Sequence, residues 1–228
     1  MNNKDFWNRY KYLIFFIIIF TISGVSMFKY VLTPEKKLPI YSPSMVSSEL
    51  VEEELLHVKK YHKISDFNLL NQNGIEVSHS NYDNKIYVAD FFFTTCPSIC
   101  PIMTGNMVYL QNEIKNDEIM FASFSVTPEI DSVEVLKKYA LEKGVNDKRW
   151  NLMTGDRKEI YNLARKSYLV VKDNPEAGSH DMIHTENFVL VDKERRIRGF
   201  YDGTNIEEMN KIISDIKILL DSYKNLKT

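Results

Sequence analysis

The chain has 228 residues, with 29 lysines and arginines against 31 acids and a formal net charge of −2. That near balance excludes the strongly basic character of a nucleic-acid binder and gives no reason to expect an acidic partner. Apolar residues make up 44%, with only 8 glycines and 7 prolines, so most of the chain is expected to fold around a core rather than stay disordered.

The N-terminal MNNKDFWNRYKY carries Lys4, Arg9 and Lys11 against Asp5, and Tyr12–Phe28 then runs without a charge. Adding Tyr30–Leu32, with Lys29 able to snorkel, makes residues 12–32 a span of the roughly 20 residues that cross a bilayer. Because the cations precede the span, residues 1–11 are expected in the cytoplasm and the rest on the extracytoplasmic (periplasmic) side. Trp7 and Tyr10–Tyr12 suit the membrane interface. No A-x-A cleavage site and no nearby cysteine for lipidation accompany the span. It reads as an uncleaved anchor, with a cleaved signal peptide as the alternative. Residues 33–60 carry Pro34, Pro39, Pro43, several serines and Glu52–Glu54. They read as a tether with a short helix around Ser48–Lys59.

The folded domain is expected over 61–228. FNLLNQNGIEVS predicts a hairpin turning at Asn73–Gly74. Lys85–Phe93 is an unbroken apolar run of β-branched and aromatic residues, the pattern of a strand buried on both faces. A helix is expected over Pro101–Lys115, and a second buried strand over Glu118–Val126. Another helix runs over Ser132–Gly144 and stops at the glycine. WNLMTGD reads as a short strand and turn, after which Asp156 can cap a helix through RKEIYNLARKSY. NFVLVD and IRGFYDG suit a hairpin around KERR, and an amphipathic helix closes the chain. The order ββ, βαβα, ββα argues for an α/β fold with a central mixed sheet flanked by helices. A strand, a cysteine pair and a helix in immediate succession is the thioredoxin-like arrangement.

Both cysteines lie in FFFTTCPSICPIMTGNM, as Cys96 and Cys100. A disulfide between them would close a very small loop and stabilise little, so a structural staple is a poor use of this spacing. On a helix, residues four apart share a face, and the backbone N–H groups and dipole of a first turn favour thiolates. Pro97 and Pro101 suit a loop entering a helix. A metal held by two sulfurs needs a further ligand. Of the five histidines, His57, His62 and His79 fall in the tether or near turns, where a solvated role is the default. His180 lies in a polar loop, and His184 precedes a strand that should pair within the sheet. A Cys2His set of soft donors suits Cu(I), whereas a structural zinc usually takes four protein ligands. The same thiols equally fit disulfide exchange. Met103 and Met107 are expected to pack in the core, and Met182 is open.

These residues resemble the SCO/SenC family of copper-binding, membrane-anchored thioredoxin-like proteins. The resemblance covers roughly Tyr61–Tyr223 and rests on FFFTTCPSICP, FSVTPEIDSVEVLKKYA, WNLMTGD and IHTENFVLVDKERRIRGFYDG in that order. It implies a copper metallochaperone that helps assemble the CuA centre of cytochrome c oxidase. Cys96, Cys100 and His184 would then bind Cu(I) and Cu(II). The implied partners are a copper donor protein and the copper-receiving oxidase subunit, with the membrane held through the N-terminal helix. The chain departs from many relatives in lacking an acid at Ser98 or Ile99, and in having Thr127 and Ile183 where Asp is frequent. The alternative is a thiol–disulfide oxidoreductase that uses Cys96 and Cys100 on cysteines of an oxidase subunit or another exported protein. A third reading, a thiol peroxidase or redox sensor, would need a network such as Thr94, Thr95 and Arg165 around a cysteine.

Overall fold

The structure, a computed structural model, describes residues 3–32, 36–171, 183 and 185–225. It divides into two units, Met1–Lys37 and Leu38–Thr228. The described residues of the first unit are led by one helix, α1 (Asn3–Leu32). Its stretch Arg9–Lys29 is long and apolar enough to cross a membrane, and none of it is buried in protein. At 1.5 Å per residue such a stretch is about 30 Å long, matching the hydrocarbon core of a bilayer.

The second unit contains strands β1 (Asn68–Asn71), β2 (Glu76–Ser78), β3 (Ile86–Phe92), β4 (Ile119–Ser125), β5 (Trp150–Thr154), β6 (Asn187–Val191) and β7 (Ile197–Asp202). Its helices are α2 (Ile99–Glu113), α3 (Val133–Lys143), α4 (Arg157–Asn162) and α5 (Ile206–Asn225), with α4 continued by a π-helical stretch, Leu163–Ser167. The strands form one mixed sheet in the order β2-β1-β5-β4-β3-β6-β7. β3, β4 and β5 run parallel, and every other pairing is antiparallel.

All seven residues of β3 are buried because its two faces serve two different cores. Ile86, Val88 and Phe92 pack with Met103, Met107 and Leu110 of α2, Leu136 of α3, and Ile212 and Leu219 of α5. Tyr87, Ala89 and Phe91 point the other way, toward Ile160 and Tyr161 of α4 and toward Tyr168. The period-two alternation of a strand divides one apolar run between the layers. Local signals act where expected. Ser132 accepts from Val135 N to cap α3, and Gly144 closes it at φ 75°. Asp156 accepts from Glu159 N to cap α4. Gly74, at φ 70°, turns the β1–β2 hairpin.

The stretch read as a tether differs. From Leu38 onward it packs on the domain. Arg198 donates to Leu38 O (2.7 Å) and Pro39 O (2.8 Å), Tyr41 N donates to Ile197 O (2.9 Å), and Val51 is fully buried in the second core. The expected boundary at 61 therefore moves to Leu38. In place of a helix over 48–59 there is a short 3₁₀ turn at Glu53–Leu55, and another precedes it at Pro43–Met45. The prolines that suggested a free linker instead shape a strap. Its carbonyls satisfy a guanidinium that Asp192, fully buried, also holds at 2.8 Å.

Candidate metal centre

β3 ends at Phe92, and the six residues Phe93–Ser98 lead into α2. Cys96 lies in this loop, while Cys100 is the second residue of the helix. The expectation that both cysteines share one helical face is therefore modified: only Cys100 is helical. The two residues still meet: Cys100 N donates to Cys96 Sγ at 3.5 Å, and the two side chains also interact. Ser98 Oγ lies 3.8 Å from the same sulfur. Both thiols are free, and both side chains sit at the top of the α2-side core.

The two thiols differ in acidity. Burial pushes Cys96 up, but the N–H groups of Cys100 and Ser98 on its sulfur outweigh this and bring it down to about 7. Burial pushes Cys100 up to about 12, and the neighbouring Cys96 adds to the rise. The helix start thus favours one thiolate, Cys96, rather than two. Near neutral pH Cys96 is therefore about half thiolate, beside a Cys100 that stays a thiol.

Two buried carboxylates frame the loop, and neither was singled out by the sequence reading. Asp131, fully buried, accepts from Thr94 N (3.2 Å), Thr94 Oγ1 (2.5 Å), Ser125 Oγ (2.6 Å) and Thr127 Oγ1 (3.1 Å). It ties the cysteine loop to the loop after β4, two residues before Cys96. Thr127, one of the departures from the family pattern, is a donor in this set. Asp90 on β3 lies on the α2 side and accepts from Ser123 Oγ, which accepts from Trp150 Nε1 at 2.9 Å. Burial raises the Asp90 carboxyl to about 7. The available signals were an acid inside an otherwise apolar strand, for Asp90, and the SVTPEID segment, for Asp131.

His180 and His184 lie outside the described residues, as does Met182. Among the described residues no group of three His, Cys, Asp or Glu side chains could hold a metal. The neighbours of His184 are informative. Ile183 is buried in the second core, and Thr185 Oγ1 accepts from Asn187 N at 3.2 Å. β6 pairs antiparallel with β3, with Ala89 opposite Val189, so β6 begins at the end of the sheet where β3 stops. The start of β6 is also tied to the cysteine helix. Gly203 N donates to Glu186 O (2.7 Å), and Gly203 O accepts from Asn106 Nδ2 of α2 (2.8 Å).

The other histidines are elsewhere. His57 is exposed, and His62 Nε2 lies 2.7 Å from Ser167 O. His79, expected to be solvated, is buried among Phe67, Tyr82 and Tyr87, where desolvation lowers it to about 4. Met103 and Met107 are core residues, as expected. Arg165 lies over the Tyr161 ring, in the core on the opposite face of the sheet from the cysteines. With Thr94 committed to Asp131, the residues of the peroxidase reading do not converge.

Residues 57–221 match the SCO1/SenC family model. The chain belongs to the SCO1/SenC family. A SCO1 protein homolog of Bacillus subtilis (strain 168) is 35% identical over 159 residues, covering 68% of this chain and 82% of that protein. The structure of a SCO1/SenC family lipoprotein from Bacillus anthracis str. Ames is 33% identical with a TM-score of 0.62, over 70% of this chain and 95% of that one. That of BsSco, a member of the Sco family of cytochrome c oxidase assembly proteins in which a disulfide switch was identified, is 34% identical with a TM-score of 0.60, over 68% and 92%. The SCO1/SenC match begins beyond α1, so α1 is a feature of this chain outside the shared domain. Both cysteines of the sequence are in the TTCPSICP motif.

Proposed function

We propose that this chain is a membrane-anchored copper metallochaperone. It binds copper through Cys96, Cys100 and His184 and delivers it to the copper-receiving subunit of a cytochrome c oxidase, assembling the CuA centre. The observation that carries the reading is the contact of the Cys100 N–H with the Cys96 sulfur. A poised Cys96 thiolate and a reduced Cys100 meet at the mouth of α2, on the same end of the sheet from which β6 starts. Copper is cargo here. Cys96 offers a ready soft donor, and Cys100 gives up its proton as the metal binds. A three-ligand site leaves room for an acceptor thiolate to attack. Residues 12–32 anchor the chain and residues 38–228 work outside the cytoplasm, fed by a copper donor protein.

A second reading, thiol–disulfide oxidoreductase, is favoured by the split acidity of the pair. The Cys96 thiolate would attack a target disulfide, forming a mixed disulfide and releasing one target thiolate. Cys100 would then release the second thiol and leave Cys96–Cys100 oxidised. The test is transfer: copper-loaded protein mixed with the reduced, metal-free copper-receiving domain of the oxidase. Appearance of the CuA absorption supports delivery. Reduction of an oxidised receiving domain, with no metal passed to a reduced one, would replace the chaperone by the reductase.

A further inference from the structure

At the far end of the sheet from the cysteines lies a groove of about 470 Å³. Ile40, Lys59, Lys60, Tyr61, Lys63 and Arg196 are among the residues lining it, and among the described residues no acid does. Arg196 is already paired with Asp192 and Glu194, but the three lysines are exposed and none has an ion pair among the described residues. Tyr61 stands 96% exposed between them, and Ile40 is 46% exposed. Tyr61 also holds φ at 67°, a left-handed conformation that a bulky residue adopts only at a cost, and its side chain gains no packing in return.

Unpaired lysines interleaved with an exposed aromatic and an exposed aliphatic are the chemistry of an anionic membrane surface. Cations meet headgroup phosphates, and the ring and the isoleucine enter the interface. The groove also begins, at Ile40, eight positions after the last residue of α1. We propose that this groove binds the phosphate of anionic lipid headgroups and docks this end of the domain on a bilayer. Arg196 follows the β6–β7 turn and lies beyond the start of β3, while Cys96 follows its end. Docking through the groove therefore points the cysteine loop away from the lipid, toward a partner's soluble domain. The membrane-anchor reading supplies only the nearness in sequence.

The test uses the Leu38–Thr228 unit, which holds both cores within itself. It is sedimented with vesicles of phosphatidylcholine, with or without phosphatidylglycerol. Binding is expected only to the anionic vesicles and should weaken with salt. Replacing Lys59, Lys60 and Lys63 together by Gln should lower it on the order of a hundredfold. Lys138, Lys158 and Lys211, exposed on helices that start at the cysteine end of the sheet, should be replaceable by Gln with little loss. Tyr61→Ala should weaken binding while keeping the preference for anionic vesicles. No binding, equal binding to neutral vesicles, or equal damage from the two triple variants would overturn the proposal. So would inorganic phosphate displacing the unit where chloride of the same ionic strength does not, since the groove would then be a free-phosphate site. Alkaline extraction of the full chain from membranes tests α1 separately, so either reading can fail alone.

Discussion

Asp131 Oδ1 accepts a hydrogen bond from Thr94 Oγ1 at 2.5 Å, joining the loop after β4 to the loop that carries Cys96. Three further donors converge on the same buried carboxylate. Asp131→Ala leaves a backbone N–H and three hydroxyls without their acceptor. It should cost on the order of 3 kcal/mol in urea unfolding. Asp131→Asn, which keeps the shape but replaces one acceptor oxygen with a donor, should cost less. The Cys96 loop should loosen in both, seen as faster exchange of the Thr94 amide. A stability change in Asp131→Ala within the error of the measurement would remove Asp131 from the account.

The thiols should titrate apart. In the reduced protein, alkylation of Cys96 should follow a midpoint near pH 7, rising as the thiolate forms. In Cys96→Ser, Cys100 should stay unreactive until strongly alkaline pH. The check is mass spectrometry of alkylation rates across pH. Equal midpoints for the two cysteines would mean that the amides of Cys100 and Ser98 do not hold the Cys96 sulfur as described.

Asp90 makes stability depend on pH. Its folded pKa, about 7, lies above the ordinary 3.8. Between those values the native state holds a proton that the unfolded chain has released, so stability falls as pH rises from about 4 to about 7. The size is at most a few kcal/mol, since each tenfold difference in proton affinity between the two states is worth about 1.4 kcal/mol. Asp90→Asn should flatten that slope and be the more stable protein at pH 8. Denaturant titrations of both forms at several pH values decide it, and parallel slopes would count against a buried, protonated Asp90.

Gly203 couples α2 to the strand that follows His184. A Cβ there would lie 2.7 Å from Phe188 Cε1 and 2.9 Å from Glu186 O. Gly203→Ala must therefore shift the start of β6. It should cost about 2 kcal/mol and, with the copper site as proposed, weaken copper binding although no ligand is touched. Unchanged copper affinity in a clearly destabilised Gly203→Ala would separate the start of β6 from the site.

Much of this was legible because single residues carried single messages. The unbroken run at β3, the caps Ser132 and Asp156, Gly144 and Gly74 are local signals, and they act locally. The strap was misread because its ordering depends on Arg198, about 160 positions away, reaching the carbonyls of Leu38 and Pro39. His79 was misread for the same reason: a histidine beside a turn is buried only because Phe67, Tyr82 and Tyr87 close around it. At the site, the spacing of the cysteines was readable. Their unequal acidity was not, because it depends on where the helix begins between them.

The proposed site holds one copper through Cys96, Cys100 and His184. Absorption spectroscopy of the Leu38–Thr228 unit loaded with one equivalent of Cu(II) tests it most directly. A sulfur-to-copper charge-transfer band is expected, lost in Cys96→Ser and Cys100→Ser, and shifted and weakened in His184→Ala. A band unchanged in His184→Ala, with copper held as tightly as in the parent, would contradict it.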